Sequence, residues 1–205
     1  MEILSKLFGS SARVKIMRLF LSNDDMVIDN AEISQRAKVS AAETRKEMVL
    51  LEKIGFVRKR TFYKEIEKKK KGDVVLEKKK TNGWIMDPNF SLIAPLKNLL
   101  IKSSPIESKD IISRLKNGGT LKLIITAGIF VQDNDSRVDM LVVGDNLNNA
   151  YLDRAIKILE SEIGQELRYV ILETPDFNYR LGIYDKLIRD ILDFSHNKIL
   201  NKLDL

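Results

Sequence analysis

The chain has 205 residues, 44% of them hydrophobic, which suits one large domain or two small ones and excludes a disordered chain. It carries 35 Lys/Arg against 29 Asp/Glu, yet 11 of the basic and 4 of the acidic residues fall between positions 58 and 80, so one segment holds the whole excess of +6 and reads as a footprint for a polyanion. There is no cysteine and one histidine, His196, which excludes a disulfide framework, thiolate metal sites and His-rich zinc sites; with no leader pattern at the start and no apolar run near the ~20 residues of a membrane span, the expectation is a cytoplasmic protein.

Residues 10–21, SSARVKIMRLFL, predict a helix with serine caps and an apolar stripe through Val14, Met17 and Leu21, widened by Ile16 and Phe20. Met26 to Asp29 reads as a short strand, and Asn30 as the cap of a second helix, AEISQRAK, that buries Ile33 and Ala37. A third helix follows in VSAAETRKEMVLLEKIGFV, residues 39–57. Ser40 and Glu43 stand at capping-box spacing, Thr44, Met48, Leu51 and Ile54 mark its buried face, and Gly55 supplies the left-handed residue that ends it. Two short helices joined by a tight turn make a helix-turn-helix. Residues 56–66 then read as a strand and 74–77 as its partner, with a Gly-Asp turn signal in EKKKKGD between them.

Together LFGSSARVKIMRLFL, VSAAETRKEMVLLEKIGFVRKR and the hairpin resemble a winged-helix DNA-binding domain of the bacterial and archaeal regulator type, over roughly residues 6–86. The run Leu51-Glu-Lys-Ile-Gly-Phe-Val57 ends the third helix as such domains do. The resemblance implies contacts to duplex DNA from the exposed positions of that helix, Ala41, Ala42, Arg45 and Lys46 with Glu43 beside them. It implies further contacts from a wing lined by Arg58, Lys59, Arg60, Lys64, Lys68, Lys69, Lys70, Lys71, Lys78, Lys79 and Lys80. The wing's ammonium groups favour phosphate over base edges, because a lysine is a mobile point charge without the guanidinium fork. The competing readings are a solvated charged hairpin and a protein-binding module.

Residues 81–90 form the exit from the wing, with the only tryptophan, Trp84, packed on a domain. Leu92 to Ile101 is helix-like despite Pro95 and more apolar than one half-buried helix requires, so a connecting helix over 91–105 that joins domains or subunits of a homodimer is expected. The second domain, 106–205, reads as a helix over 106–116, a strand over 120–127, a strand from Arg137 to Val143, a helix over 147–163, a strand over 167–173 and a last long helix over 177–192. The expected whole is an α+β winged helix followed by a small α/β domain with a mixed sheet.

That order, with Gly128 after the first strand and Ser136-Arg-Val-Asp139 leading into the second, resembles the minimal nucleotidyltransferase fold. The fold's enzymes hold two divalent metals on paired carboxylates, which converge when they stand at i and i+2 on one strand. Here Asp139 matches the second acid, Arg137 replaces the first, and Glu173 is the only acid near the third strand. A guanidinium cannot ligate a metal, so the resemblance implies a non-catalytic pseudoenzyme with no metal and no cofactor. An Arg137–Asp139 ion pair is expected. An anionic or nucleotide effector held by Gly128, Ser136 and Arg137, and a surviving transferase using Asp139 and Glu173, stand as alternatives. FNYRLGIYDKLIRDIL, residues 177–192, resembles the C-termini of uncharacterised bacterial transcriptional regulators of this two-domain architecture.

Overall fold

The computed structural model describes residues 2–70, 73–102, 106–133 and 135–205, with the side chains of 2, 67–70 and 73–75 outside the description. The protein is an α+β chain with two compact units. One comprises Met1–Ser104 with Ser161–Gln165, the other Pro105–Glu160 with Glu166–Leu205.

The first unit begins with α1 (Glu2–Phe8) and α2 (Ser11–Ser22). Ser10 caps α2 by accepting from the Arg13 N–H, and Val14, Ile16, Met17, Leu19, Phe20 and Leu21 are all buried, so this helix is apolar on most of its circumference. α3 (Asn30–Ala37) buries Ile33 and Ala37 as its pattern predicts. Its cap is Asp29 rather than Asn30: the Asp29 carboxylate accepts from the Glu32 N–H at 2.9 Å, while the Asn30 amide oxygen accepts from the Trp84 indole at 2.8 Å. α4 (Ala41–Lys53) has the full capping box of Ser40 and Glu43 and buries Thr44, Met48 and Leu51. Ile54 is 51% exposed and does not continue that face; the helix has ended there, with Gly55 at φ +80° turning the chain so that Phe56 enters the core instead.

The hairpin is long. β1 (Val57–Lys70) and β2 (Asp73–Met86) pair antiparallel along their whole length, from Val57 opposite Met86 to Lys70 opposite Asp73. The strand expected over Met26 to Asp29 is a single bridge, Ile28 to Trp84, closed by two 2.9 Å hydrogen bonds. Trp84 and Phe56 lie in the core of this unit, and Phe90 meets Phe56 edge-on at 5.5 Å. The apolar segment after the hairpin forms α5 (Ile93–Lys97) and a wider turn over Asn98–Lys102. Leu100 is fully buried in the first core and Ile93, Leu96 and Ile101 pack against it, so residues 93–101 belong to this unit. Arg18 is buried beside them and donates to the Leu100 carbonyl at 2.8 Å.

The second unit is a four-stranded mixed sheet in the order β5-β4-β3-β6. β3 (Thr120–Thr126) runs antiparallel to both β4 (Met140–Asp145) and β6 (Asn197–Asn201); β4 is parallel to β5 (Tyr169–Glu173). α6 (Ser108–Leu115) precedes the sheet and α7 (Asn149–Ile163) connects β4 to β5. One sheet face packs Leu123, Ile125, Leu141, Val143 and Leu172 against Phe177 of α8 (Thr174–Gly182) and Ile188 and Ile191 of α9 (Lys186–Asp193). Strand alternation turns Ile124 and Val142 to the opposite face, and both are fully buried.

Two expectations need correction here, and one strand is added. β4 starts at Met140, not Arg137. The long helix over 177–192 is two helices, because Tyr184 takes φ +54° and the Asp185 carboxylate caps α9 through the Leu187 and Ile188 N–H groups. β6 forms an edge strand that the pattern does not announce.

Tyr169 illustrates how the sheet edge is tied to α7: its hydroxyl donates to the Asp153 carboxylate at 2.8 Å. Burial, then that carboxylate, pushes the phenol from 10.0 up to about 12. The fold favours the neutral phenol, so its contribution to stability is intact below pH 10.0 and is lost as pH rises towards about 12. In an ultraviolet titration Tyr169 should ionise as a late step, about two units above the ordinary phenol value of 10.0. Tyr169→Phe should remove that late step; a curve unchanged by the substitution would contradict the assignment.

Candidate functional site

The basic excess sits on α4 and the hairpin, and the structure sorts its cations by partner. Ala41, Ala42, Arg45 and Lys46 all lie on the exposed side of α4, together with Val49. Glu43 is exposed beside them. Its hydrogen bonds from the Ser40 hydroxyl and backbone N–H hold its carboxyl below the ordinary value, with Lys46 adding to the effect. The opposite side of α4 is tied down by buried Glu47, which accepts from the Arg13 guanidinium at 2.8 Å.

On the hairpin, Lys64 reaches back to α3. Its ammonium sits 2.7 Å from Asp29 and 3.3 Å from Glu32, and these carboxylates raise its pKa. Partial burial works against the charged Asp29, but Lys64 and the Glu32 N–H outweigh it and hold that carboxyl low. Lys59 pairs with Glu52 at 3.0 Å and lies 5.3 Å over the Trp84 ring. Lys78 makes only a loose 4.0 Å contact with Glu65, both largely exposed. Arg45, Arg58, Arg60, Lys79 and Lys80 are exposed and form no ion pair among the described residues. Lys71 lies outside the described residues, as do the side chains of Lys68, Lys69 and Lys70. Lys59 and Lys64 therefore serve the fold, whereas Arg58, Arg60, Lys79 and Lys80 face solvent.

In the second unit Asp139, the residue that matches the second acid of the paired carboxylates, is held entirely by the protein's own donors. Asp139 is 1% exposed, at the turn just before β4. Its Oδ2 accepts from the Arg168 backbone N–H at 2.8 Å and the Arg168 Nε at 3.0 Å. Its Oδ1 accepts from Arg168 Nη2 at 3.0 Å and the Ile129 N–H at 3.1 Å. The guanidinium fork on a buried carboxylate offsets the cost of removing that charge from water. In return, Asp139 raises the Arg168 pKa. Gly128 does touch this group, though not as a phosphate cradle: at φ +51° a Cβ on it would fall 2.0 Å from Asp139 Oδ1. The glycine is required for that close approach.

The expected Arg137–Asp139 pair is not formed. Arg137 precedes the strand, so the i, i+2 rule does not apply to it, and it pairs with Asp190 of α9 at 3.4 Å. The Ser136 hydroxyl donates to the Val138 carbonyl at 2.7 Å. Ser136 and Arg137 line a cleft of about 230 Å³ with Asp133, Asp135, Asp190 and Phe194, apart from Gly128 and Asp139. Glu173 accepts from the Asn146 and Leu147 N–H groups at 3.1 and 2.9 Å, fixing the loop after β4. These donor sets do not fit a pair of divalent metals: both oxygens of Asp139 face cationic or N–H donors, and so do both of Glu173. Among the described residues no group of three His, Asp or Glu side chains is placed to hold a metal.

Sequence reasoning missed Arg168 and Asp190, the partners that decide the roles of Asp139 and Arg137. The available signal was a cation at the start of LRYVILE, at the sheet end where Asp139 lies. No known protein family, no curated protein and no solved structure matches this chain. No helix of the described residues is long and apolar enough to cross a membrane.

Arg168→Ala should leave Asp139 buried without its fork and cost about 2–3 kcal/mol, below the full figure for a buried pair because the guanidinium is half exposed. Gly128→Ala should cost about 1–3 kcal/mol through its positive φ and the clash with the carboxylate. Denaturant melts of both variants check this, and wild-type midpoints would show that Asp139 does not need these neighbours.

Proposed function

We propose that the chain is a duplex-DNA-binding transcriptional regulator whose first unit is a winged helix and whose second is a non-catalytic, nucleotidyltransferase-like domain serving homodimerisation or effector binding. The observation that carries the reading is the set of solvent-facing cations. Arg45 and Lys46 stand on the exposed face of α4, and Arg58, Arg60, Lys79 and Lys80 on the hairpin that follows it. A helix with an open polar face after a tight turn, followed by a cationic β-ribbon, supports a helix in the major groove with the ribbon along the backbone. The consumption of Asp139 and Glu173 by internal donors supports the non-catalytic reading of the second unit.

The expected behaviour is a steep salt dependence. Each phosphate neutralised contributes ~0.9 to the slope of log K against log[salt], so six engaged cations give a slope of about −5. Arg60→Ala and Lys80→Ala should each lower the slope by about one unit. Lys64→Ala should leave the slope unchanged and lower the melting temperature, because its partners are Asp29 and Glu32. Fluorescence anisotropy on random-sequence duplex at several salt concentrations reads all of these. A flat salt dependence overturns the proposal, and a slope that falls in Lys64→Ala overturns the division of the cations.

A further inference from the structure

The two faces of the hairpin differ. Along β1 from Thr61 to Ile66, exposed and half-buried residues alternate strictly: Thr61, Tyr63 and Glu65 are exposed, Phe62, Lys64 and Ile66 half-buried. The half-buried face is the one whose Lys64 is docked on α3. Directly opposite residues of an antiparallel pair share a face, so the open face carries Tyr63 with Lys80 across from it, Glu65 with Lys78, and Leu76 beyond. Tyr63 is 68% exposed and Leu76 64%. The Tyr63 hydroxyl makes no hydrogen bond among the described residues. Its ring thus offers an open face within a patch that carries two exposed lysines.

We propose that this outer face, with Tyr63 as the stacking platform and Lys78 and Lys80 as phosphate contacts, binds unpaired nucleotides of a nucleic acid. The inference rests on the nucleic-acid reading above and deepens it by naming the form of the ligand. An intact duplex presents phosphates and groove edges but no free base face; a single strand presents both a phosphate chain and an open π-face for each base. Lysines alone satisfy the first requirement, and the exposed aromatic ring directly across from Lys80 meets the second. Leu76 extends the apolar strip for a neighbouring base or sugar. On this face Lys78 and Lys80 outnumber Glu65, so the charge beside Tyr63 is net positive and complements a phosphate chain.

The test uses the full chain and three labelled probes: a mixed-sequence single strand, the matched duplex, and that duplex with a three-base bulge. Anisotropy titrations compare wild type with Tyr63→Ala and Tyr63→Phe, whose folding is checked by circular dichroism. The expected result is that Tyr63→Ala weakens binding of the single strand and of the bulge by about tenfold, the scale of one lost stacking contact. Duplex affinity should stay within about twofold of wild type, and Tyr63→Phe should bind all three probes as wild type does. Equal loss on every probe, no loss in Tyr63→Ala, or loss in Tyr63→Phe as large as in Tyr63→Ala overturns the inference. Wild-type binding to duplex without binding to the single strand or bulge also overturns it while leaving the regulator reading intact. Binding to none of the probes overturns both.

Discussion

A buried carboxylate must be answered by donors, and in the second unit that requirement organises the sheet. Asp139 is sealed from solvent, so all four of its hydrogen bonds come from the protein. Two come from backbone N–H groups on either side of it, at Ile129 and Arg168, and two from the Arg168 guanidinium. The Asp139 backbone adds its own ties, accepting from the Ala127 N–H at 2.9 Å and donating to the Arg168 carbonyl at 2.6 Å. The end of β3, the start of β4 and the approach to β5 are thereby fixed to a single residue. Gly128 follows from the same constraint, because no side chain fits between its backbone and the carboxylate.

The first unit applies the same rule with different residues. Glu47 is buried and answered by Arg13, which also donates to the Phe8 carbonyl at 2.7 Å, so α1, α2 and α4 meet at one guanidinium. Asp29 caps α3 and takes Lys64, which seats the hairpin on the helices. In each case the charged residue acts as a fastener. What distinguishes Arg58, Arg60, Lys79 and Lys80 is the absence of such a partner among the described residues, and that absence makes them available to an external anion. A composition count cannot separate these groups, since Lys64 and Lys79 contribute the same charge and stand opposite each other in the hairpin.

The parts of the fold that were legible in the sequence are those set by local chemistry. The Ser40–Glu43 box, the left-handed Gly55, the stripes of α2 and α4 and the apolar strands each depend on residues within a few positions of one another. The parts that were not legible depend on distant partners. Asn30 and Asp29 are both good caps; Trp84, more than fifty residues away, takes the Asn30 oxygen and leaves the capping to Asp29. Residues 177–192 keep a helical pattern through the break because Leu181, Ile188 and Ile191 face the core on both sides of it, and only the Asp185 cap marks the restart. β6 is short and half exposed, so it lacks the apolar signature of β3 and β4, and its pairing with β3 is what makes it a strand. The site reading failed at Arg137 for the same reason: its partner Asp190 lies on α9.

The hairpin shows how far that dependence on partners reaches. Lys59 stands opposite Trp84 and Lys80 opposite Tyr63, on the same face of one β-ribbon, so the sequence places an aromatic and a lysine together twice. Near the body of the unit the pair is closed: Trp84 is 8% exposed, its indole donates to Asn30, and Lys59 lies over the ring and on Glu52. Four residues further along β1 the same arrangement lies open, with Tyr63 68% exposed. An aromatic side chain in the open keeps its apolar surface in water at a cost of roughly 25 cal/mol for each Å² left uncovered. A fold that needed Tyr63 only for strand propensity would be served as well by threonine or valine, which expose less apolar area. The ring gains its advantage over those residues only when another flat, polarisable surface covers it.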